Sequence, residues 1–335
     1  MSENRECPTF EEALQRLEDE RILLSSEDLY ALSGANAAEN QLFARRWPRI
    51  PAGRRRAVIA MLVDNAETNF ELDFNALFRL TMKDEDAEVR ALSIDGLWED
   101  EEVNLITPLV QVLGNDPAER PRAAAASSLG RFVLMADLEE IESRYAKLLR
   151  GALLKAIGSR EESLEVRRRA VESIAYSSED CVQDVIAQAY ADADERMRIS
   201  AVFAMGRSAD KAWSDAALKE LSSTNPAMRY EAARACGELE VSSAVPALVR
   251  LLDDPDREVQ AAAIAALGQI GGRQARRALE RCLRSADEVI SMAAEDALAE
   301  LELGQEPLDM FVCDGLAPSY MEEDEEEDEE LDSDD

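Results

Sequence analysis

The sequence contains no histidine. That absence removes the side chain most often used as a general base and as a metal ligand. Ser-His-Asp and Cys-His catalysis are excluded with it, as is any zinc or iron site built on imidazole. Aromatic residues make up only 5% of the chain, so a core must be assembled mainly from Ala, Leu, Ile and Val. Cysteine is sparse: Cys7, Cys181, Cys236, Cys282 and Cys313 form no C-x-x-C pair. Their spacings fit no metal or redox motif, and they read as reduced thiols used as small apolar residues. No apolar run approaches the ~20 residues that a membrane-crossing helix needs. The start, MSENRECPTFEEALQ, lacks the basic-then-apolar pattern of a secretory leader. These features set the expectation of a soluble cytoplasmic protein with no membrane contact, no cofactor, no metal and no catalytic set.

Positive charge is scarce as well, with 37 basic against 71 acidic side chains and a net charge of −34 over 335 residues. Nucleic-acid binding depends on Lys and Arg neutralising phosphates, so it is not expected here. Lysine is the rarer base, five residues against 32 arginines. The planar guanidinium suits paired contacts to carboxylates.

What the sequence has instead is a period. Arg167, Arg198, Arg229, Gln260 and Ser291 are spaced by 31 residues, and Arg90 and Arg122 precede them at spacings of 32 and 45. Four residues before these anchors stand Asp86, Ser163, Asp194, Asn225, Asp256 and Asp287, with Ala118 the exception. Such residues cap helix N-termini by accepting an orphaned backbone N–H. Apolar positions at −1 and +7 and a small residue at +3 (Ser93, Ala125, Ala170, Ala201, Ala232, Ala263, Ala294) lie on one face of a helix. At +8 come Gly130, Gly206, Gly237 and Gly268, read as helix stops. A second apolar-periodic segment follows each helix, for example 242–254 and 273–285. Helices of ~10–13 residues are too short to stand alone, but stacked hairpins bury their faces continuously. The expected fold is all-α, an α-solenoid of about seven to eight hairpins.

DREVQAAAIAALG, from Asp256, and DERMRISAVFAMG, from Asp194, resemble the short HEAT-like repeats first named from phycobilin lyase subunits. The resemblance covers residues 83–303, and a divergent unit at 54–82 extends the array by one repeat. It implies a solenoid whose second helices line a concave surface offered to another macromolecule. Deoxyhypusine hydroxylase has a similar fold, but that family holds iron through His-Glu pairs and this chain has no histidine. HEAT-like DNA glycosylases use a basic surface, which the acid excess opposes. No residue set maps onto the lyase site.

The expected organisation is an N-terminal helical cap over 1–50, a repeat solenoid over 51–303, a short apolar docking segment or linker over 304–321, and a disordered acidic tail over 322–335. The capping box Thr9-x-x-Glu12 opens the first segment, with a second helix after Ser26. The 45-residue unit places an insertion between Arg131 and Arg160 that reads as a lengthened second helix or an extra turn. From Glu322 to Asp335, 12 of 14 residues are acidic, a run that repels itself.

Two arginine sets carry the site expectations. Arg90, Arg122, Arg167, Arg198 and Arg229 repeat with the period, as residues that stitch each repeat to an acid of its neighbour would. Arg250, Arg273, Arg276, Arg277, Arg281 and Arg284 cluster late, in second helices, as a partner-binding set. The expected function is a non-catalytic protein–protein interaction scaffold or adaptor, its partner a protein favoured by a basic surface and its acidic tail tuning the encounter. The alternative is a lyase- or chaperone-like factor for a chromophore- or cofactor-bearing protein.

Overall fold

A computed structural model describes residues 8–19 and 21–303. Cys7, Cys313, the apolar segment 304–321 and the acidic tail 322–335 lie outside the described residues.

Three short helices come first, α1 (Phe10–Glu18), α2 (Ser26–Leu32) and α3 (Ala37–Arg46). Each opens with a capping box, Thr9 with Glu12, Ser25 with Asp28 and Asn36 with Glu39. The third was not expected, although Asn36 and Glu39 carry the same signal as the first two.

Helical hairpins then follow one another: α4 (Ala52–Thr68) with α5 (Asn75–Thr81), α6 (Ala87–Gly96) with α7 (Ile106–Asn115), and α8 (Glu119–Asp137) with α9 (Ser143–Gly158). The array continues with α10 (Leu164–Ile174) and α11 (Cys181–Tyr190), α12 (Glu195–Arg207) and α13 (Ser214–Glu220), α14 (Pro226–Glu238) and α15 (Val245–Leu251), and α16 (Arg257–Ile270) and α17 (Gly272–Cys282). A further first helix, α18 (Glu288–Leu303), closes the described part. Among the described residues there is no strand. From α4 onward, each first helix packs on the first helices before and after it and, from α6, on the second helix of the preceding hairpin. The molecule is an α-solenoid. No described helix is long and apolar enough to cross a membrane.

The periodic columns explain this stacking. Asp86, Ser163, Asp194, Asn225 and Asp256 each cap a first helix through the side-chain oxygen. Val89, Val166, Met197, Met228 and Val259 at −1 are buried, as are the alanines at +3 from Ala125 to Ala294. Leu97, Leu129, Ile174, Met205, Cys236 and Leu267 complete that face at +7. Each fully buried Leu or Ile contributes roughly 1.5–3 kcal/mol of transfer free energy.

The glycines at +8 are not helix stops. α8 runs well past Gly130, and α12, α14 and α16 continue beyond theirs. Their role is close approach: a Cβ on Gly237 would lie 2.9 Å from the Ala266 Cα of the next first helix. The chain leaves the helix instead at Ala209 and Glu240, whose φ values of 51° and 50° end α12 and α14 in left-handed turns. The insertion is also shared differently from expectation. Both members of one hairpin lengthen, α8 to 19 residues and α9 to 16.

First helices therefore touch at backbone distance, while neighbouring second helices touch sparsely. The first helices thus form a closely packed layer, called the inner layer here, and the second helices a looser one.

Candidate functional site

The anchor arginines form a ladder. Arg90 donates from Nε and Nη2 to both oxygens of Asp116, each at 2.7 Å, and from Nη1 to the Asp84 carbonyl at 2.8 Å. Arg229 repeats this, with Asp254 at 2.7 and 2.8 Å and the Ser223 carbonyl at 2.9 Å. In both cases the carbonyl lies six residues before the arginine, and the acid lies at that same position of the next repeat. Arg122 reaches Glu162 at 2.8 Å and the Asp116 carbonyl at 2.8 Å. Arg167 stands 3.9 Å from Asp192 and donates to the Ile157 carbonyl. The acid has a second task, because Asp116, Asp192 and Asp254 each accept the backbone N–H two residues on and shape the turn into the next helix. The Arg229 guanidinium holds the Asp254 carboxyl below its ordinary range.

Arg198 is the exception. It donates to the carbonyls of Asp192 and Ala193 but reaches no acid of the next repeat, since Ser223 stands where the others have a carboxylate. Ser223→Asp is expected to restore the rung and raise stability by about 1 kcal/mol. Denaturant midpoints would show it, and a gain that persists in an Arg198→Ala background would sink the explanation.

The second arginine set lies on the second-helix layer. Arg250 on α15, and Arg273, Arg277 and Arg281 on α17, are exposed, with Arg284 just beyond. Arg250 donates to the Pro246 carbonyl and Arg276 pairs with Glu302 at 3.2 Å. These residues do share a surface, but it belongs to the looser layer rather than the inner one.

On the inner layer the structure assembles a cluster that the sequence analysis did not single out. At +2, +5 and +9 from the anchors, a stripe of three residues per first helix meets its neighbours. In α10 it is Arg169, Glu172 and, just past the helix, Tyr176; in α12, Ser200, Phe203 and Arg207; in α14, Glu231, Arg234 and Glu238. The Arg207 guanidinium lies 5.4 Å from the Phe203 ring centre and 5.9 Å from that of Tyr176. Arg234 sits 5.4 Å from Phe203 and 5.8 Å from Tyr230. Glu238 pairs with Arg207 at 3.0 Å, and Glu172 accepts from Ser200 at 2.6 Å and from Arg169 at 2.9 Å. The buried Nε of Arg207 has no hydrogen-bond partner among the described residues. At the same offsets α8 carries Ala124, Ser127 and Arg131, and α16 carries Ala262, Ala265 and Gln269, so at +2 and +5 neither of these first helices continues the charged and aromatic set.

Burial pushes the Glu231 carboxyl up to about 7, with Glu172 and Glu238 adding to the shift and Arg234 opposing it. Glu238 is raised for the same first reason. The sign of the consequence is fixed. Below pH 4.5 Glu231 is protonated in both folded and unfolded chains. Between 4.5 and about 7 the unfolded chain releases this proton and the folded one keeps it, so this group makes stability fall as pH rises through that window and level off above it. Glu231→Gln is therefore expected to match the wild type at pH 4 and exceed it at pH 8 by on the order of 2 kcal/mol. Parallel melting curves at both pH values would remove the basis for the shift.

Two concavities flank the insertion. One, of about 450 Å³, is lined by Val133, Asp137, Leu149, Arg150, Glu179 and Cys181, with Arg150 paired to Glu179. A more open groove of about 1110 Å³ runs between α7 and α9, with Leu113, Lys147, Leu148 and Lys155 on its walls. Among the described residues no group of Cys, Asp and Glu is arranged to hold a metal ion.

Comparison with known proteins matches residues 214–299 to HEAT repeats. No curated protein matches the chain. Among solved structures, the phycocyanin lyase complex of Nostoc sp. PCC7120 is similar at 19% identity, covering 58% of this chain and 76% of that one, with a TM-score of 0.43. A designed armadillo repeat protein in complex with the peptide (KR)4 is 23% identical over 58% of this chain and 99% of that one, at 0.40. Human deoxyhypusine hydroxylase in complex with glycerol is 18% identical over 79% of this chain and 96% of that one, at 0.35.

Proposed function

We propose that this chain, a HEAT-repeat protein, is a non-catalytic scaffold that binds a protein partner along the inner layer of its first helices, centred on α10, α12 and α14. The observation that carries the reading is the half-buried cluster of Phe203, Tyr176 and Tyr230 with Arg207, Arg234 and three glutamates. Aromatic and arginine side chains held in place by their neighbours are what the energetic centres of protein interfaces use. Rigid stacking leaves little side-chain entropy to lose on binding. The net charge of −34 selects a partner with a basic surface by steering the encounter, and the acidic tail extends that field.

The test is co-purification from the native host's lysate at low and high salt, read by mass spectrometry. A partner should be captured by the full chain and by Phe70→Ala, an exposed position away from the cluster, and lost with Phe203→Ala/Tyr230→Ala. Capture unchanged by the double substitution would overturn the assignment of the surface. A stoichiometric metal or chromophore in the purified protein would overturn the scaffold reading itself.

A further inference from the structure

α17 presents a row of arginines that the fold does not use. Arg273, Arg277 and Arg281 recur every fourth residue and stand on one side of the helix, and Arg284 follows three later, just past its end. All are exposed. Most other arginines in the described chain are engaged, in the ladder, in the inner cluster, or in pairs such as Arg257 with Asp287 at 2.8 Å. The side chains of these four take part in no hydrogen bond or ion pair among the described residues, a condition shared there only by Arg49 and Arg160. Glu280 is the one carboxylate within the row, which leaves it strongly positive on a chain whose net charge is −34.

The same end of the molecule launches the most acidic stretch of the sequence. α17 packs directly against α18, and α18 ends at Leu303. Eighteen residues, 304–321, separate that point from Glu322. Extended, they reach up to roughly 60 Å, several times the ~16 Å length of α17. An acidic segment tethered this closely meets the arginines at an effective concentration in the millimolar range. Twelve carboxylates facing four guanidinia make many interchangeable pairings, so no single geometry has to be fixed.

We propose that the arginine row of α17 is a docking surface for an extended acidic segment, and that its occupant is this chain's own tail, Glu322–Asp335. The proposal is separate from the reading of the inner face and stands whichever partner that face holds. Its consequence is that an acidic partner reaches Arg273, Arg277, Arg281 and Arg284 only by displacing the tail.

Arginine modification of the full chain by phenylglyoxal, mapped by mass spectrometry, tests it. At low salt the four arginines should react on the order of five- to ten-fold more slowly than in a full-length variant whose tail acids are replaced by Gln and Asn. About 0.5 M salt should bring the two chains together, because paired surface charges are screened. Arg49 and Arg160, equally unengaged, serve as internal references and should react alike in both. Equal reactivity of the four in both chains overturns the proposal. So does protection that survives tail neutralisation, which means another occupant, and protection that grows with protein concentration, which means the tail of a second copy.

Discussion

Gly237→Val should destabilise the array by at least ~3 kcal/mol, even though valine is the better helix former by a few tenths of a kcal/mol. Gly237 lies inside α14 at its contact with α16, where a Cβ would stand 2.9 Å from the Ala266 Cα and 3.1 Å from its Cβ. Those are backbone and stub atoms with no rotamer to yield. Relief requires moving α16 bodily, and α16 is itself packed on α18. Gly151 provides the contrast. It lies in α9 with nothing within 4 Å of a built Cβ, so Gly151→Ala should stabilise by about 0.5–1 kcal/mol through helix propensity alone. Denaturant unfolding followed by helical signal, with hydrogen exchange in α14 and α16, would measure both. A Gly237→Val chain as stable as the wild type would show that the layer is loose.

Asp84→Ala is the second large effect, expected at about 3–5 kcal/mol. The Asp84 carboxylate lies 3.3 Å from Arg55, accepts the Trp47 indole N–H at 2.7 Å, and accepts the Asp86 backbone N–H at 2.8 Å. The Arg55 and Asp84 side chains are each only 3% exposed. Removing the acid strands a buried guanidinium with Glu85, whose side chain is 81% exposed, as its remaining acid. It also leaves the Trp47 N–H without its acceptor, and Trp47 joins the N-terminal helices to the first hairpin. The cost should therefore appear as loosening of residues 10–50 as well as lower overall stability. Replacing both charges, as Arg55→Met with Asp84→Leu, should recover most of the loss, since apolar pairs of similar volume often replace buried ion pairs without penalty. If the double variant is as damaged as the single one, the harm comes from the Trp47 N–H and the turn at Asp86 losing their acceptor and not from the orphaned charge.

How far the sequence could be read depends on how each feature repeats. Caps and core columns recur at fixed offsets, so Asp256 or Ala263 could be placed by comparison with their counterparts in other repeats. The +8 glycines are visible in the sequence but their role is not, because a helix stop and a close helix–helix approach call for the same residue. Only the neighbouring Ala266 backbone distinguishes them. Three acid partners of the ladder stand six residues ahead of the anchors in a visible column, Asp116, Asp192 and Asp254, and the fourth, Glu162, stands five ahead of Arg167. Their pairing, however, runs from one repeat to the next and has no counterpart along a single helix. The inner cluster is the opposite case. Its residues differ from repeat to repeat, Arg169, Ser200 and Glu231 occupying one column, so periodicity averages them away. Structure belongs to what repeats in such an array, and specificity to what does not.

The ladder's offset has a consequence for how a gene of this kind can change length. An in-frame duplication of Thr224–Asp254, 31 residues, carries one Arg229 and one Asp254. The first copy's Asp254 then stands six residues before the second copy's Arg229, and each arginine finds both its carbonyl and its carboxylate. Caps, core columns and close-packing glycines are copied in register with them. No joint on either side has to be reinvented. One crossover event thus yields a longer surface whose new section is already fastened at both edges, and growth by whole periods is the mutational path that this architecture leaves open.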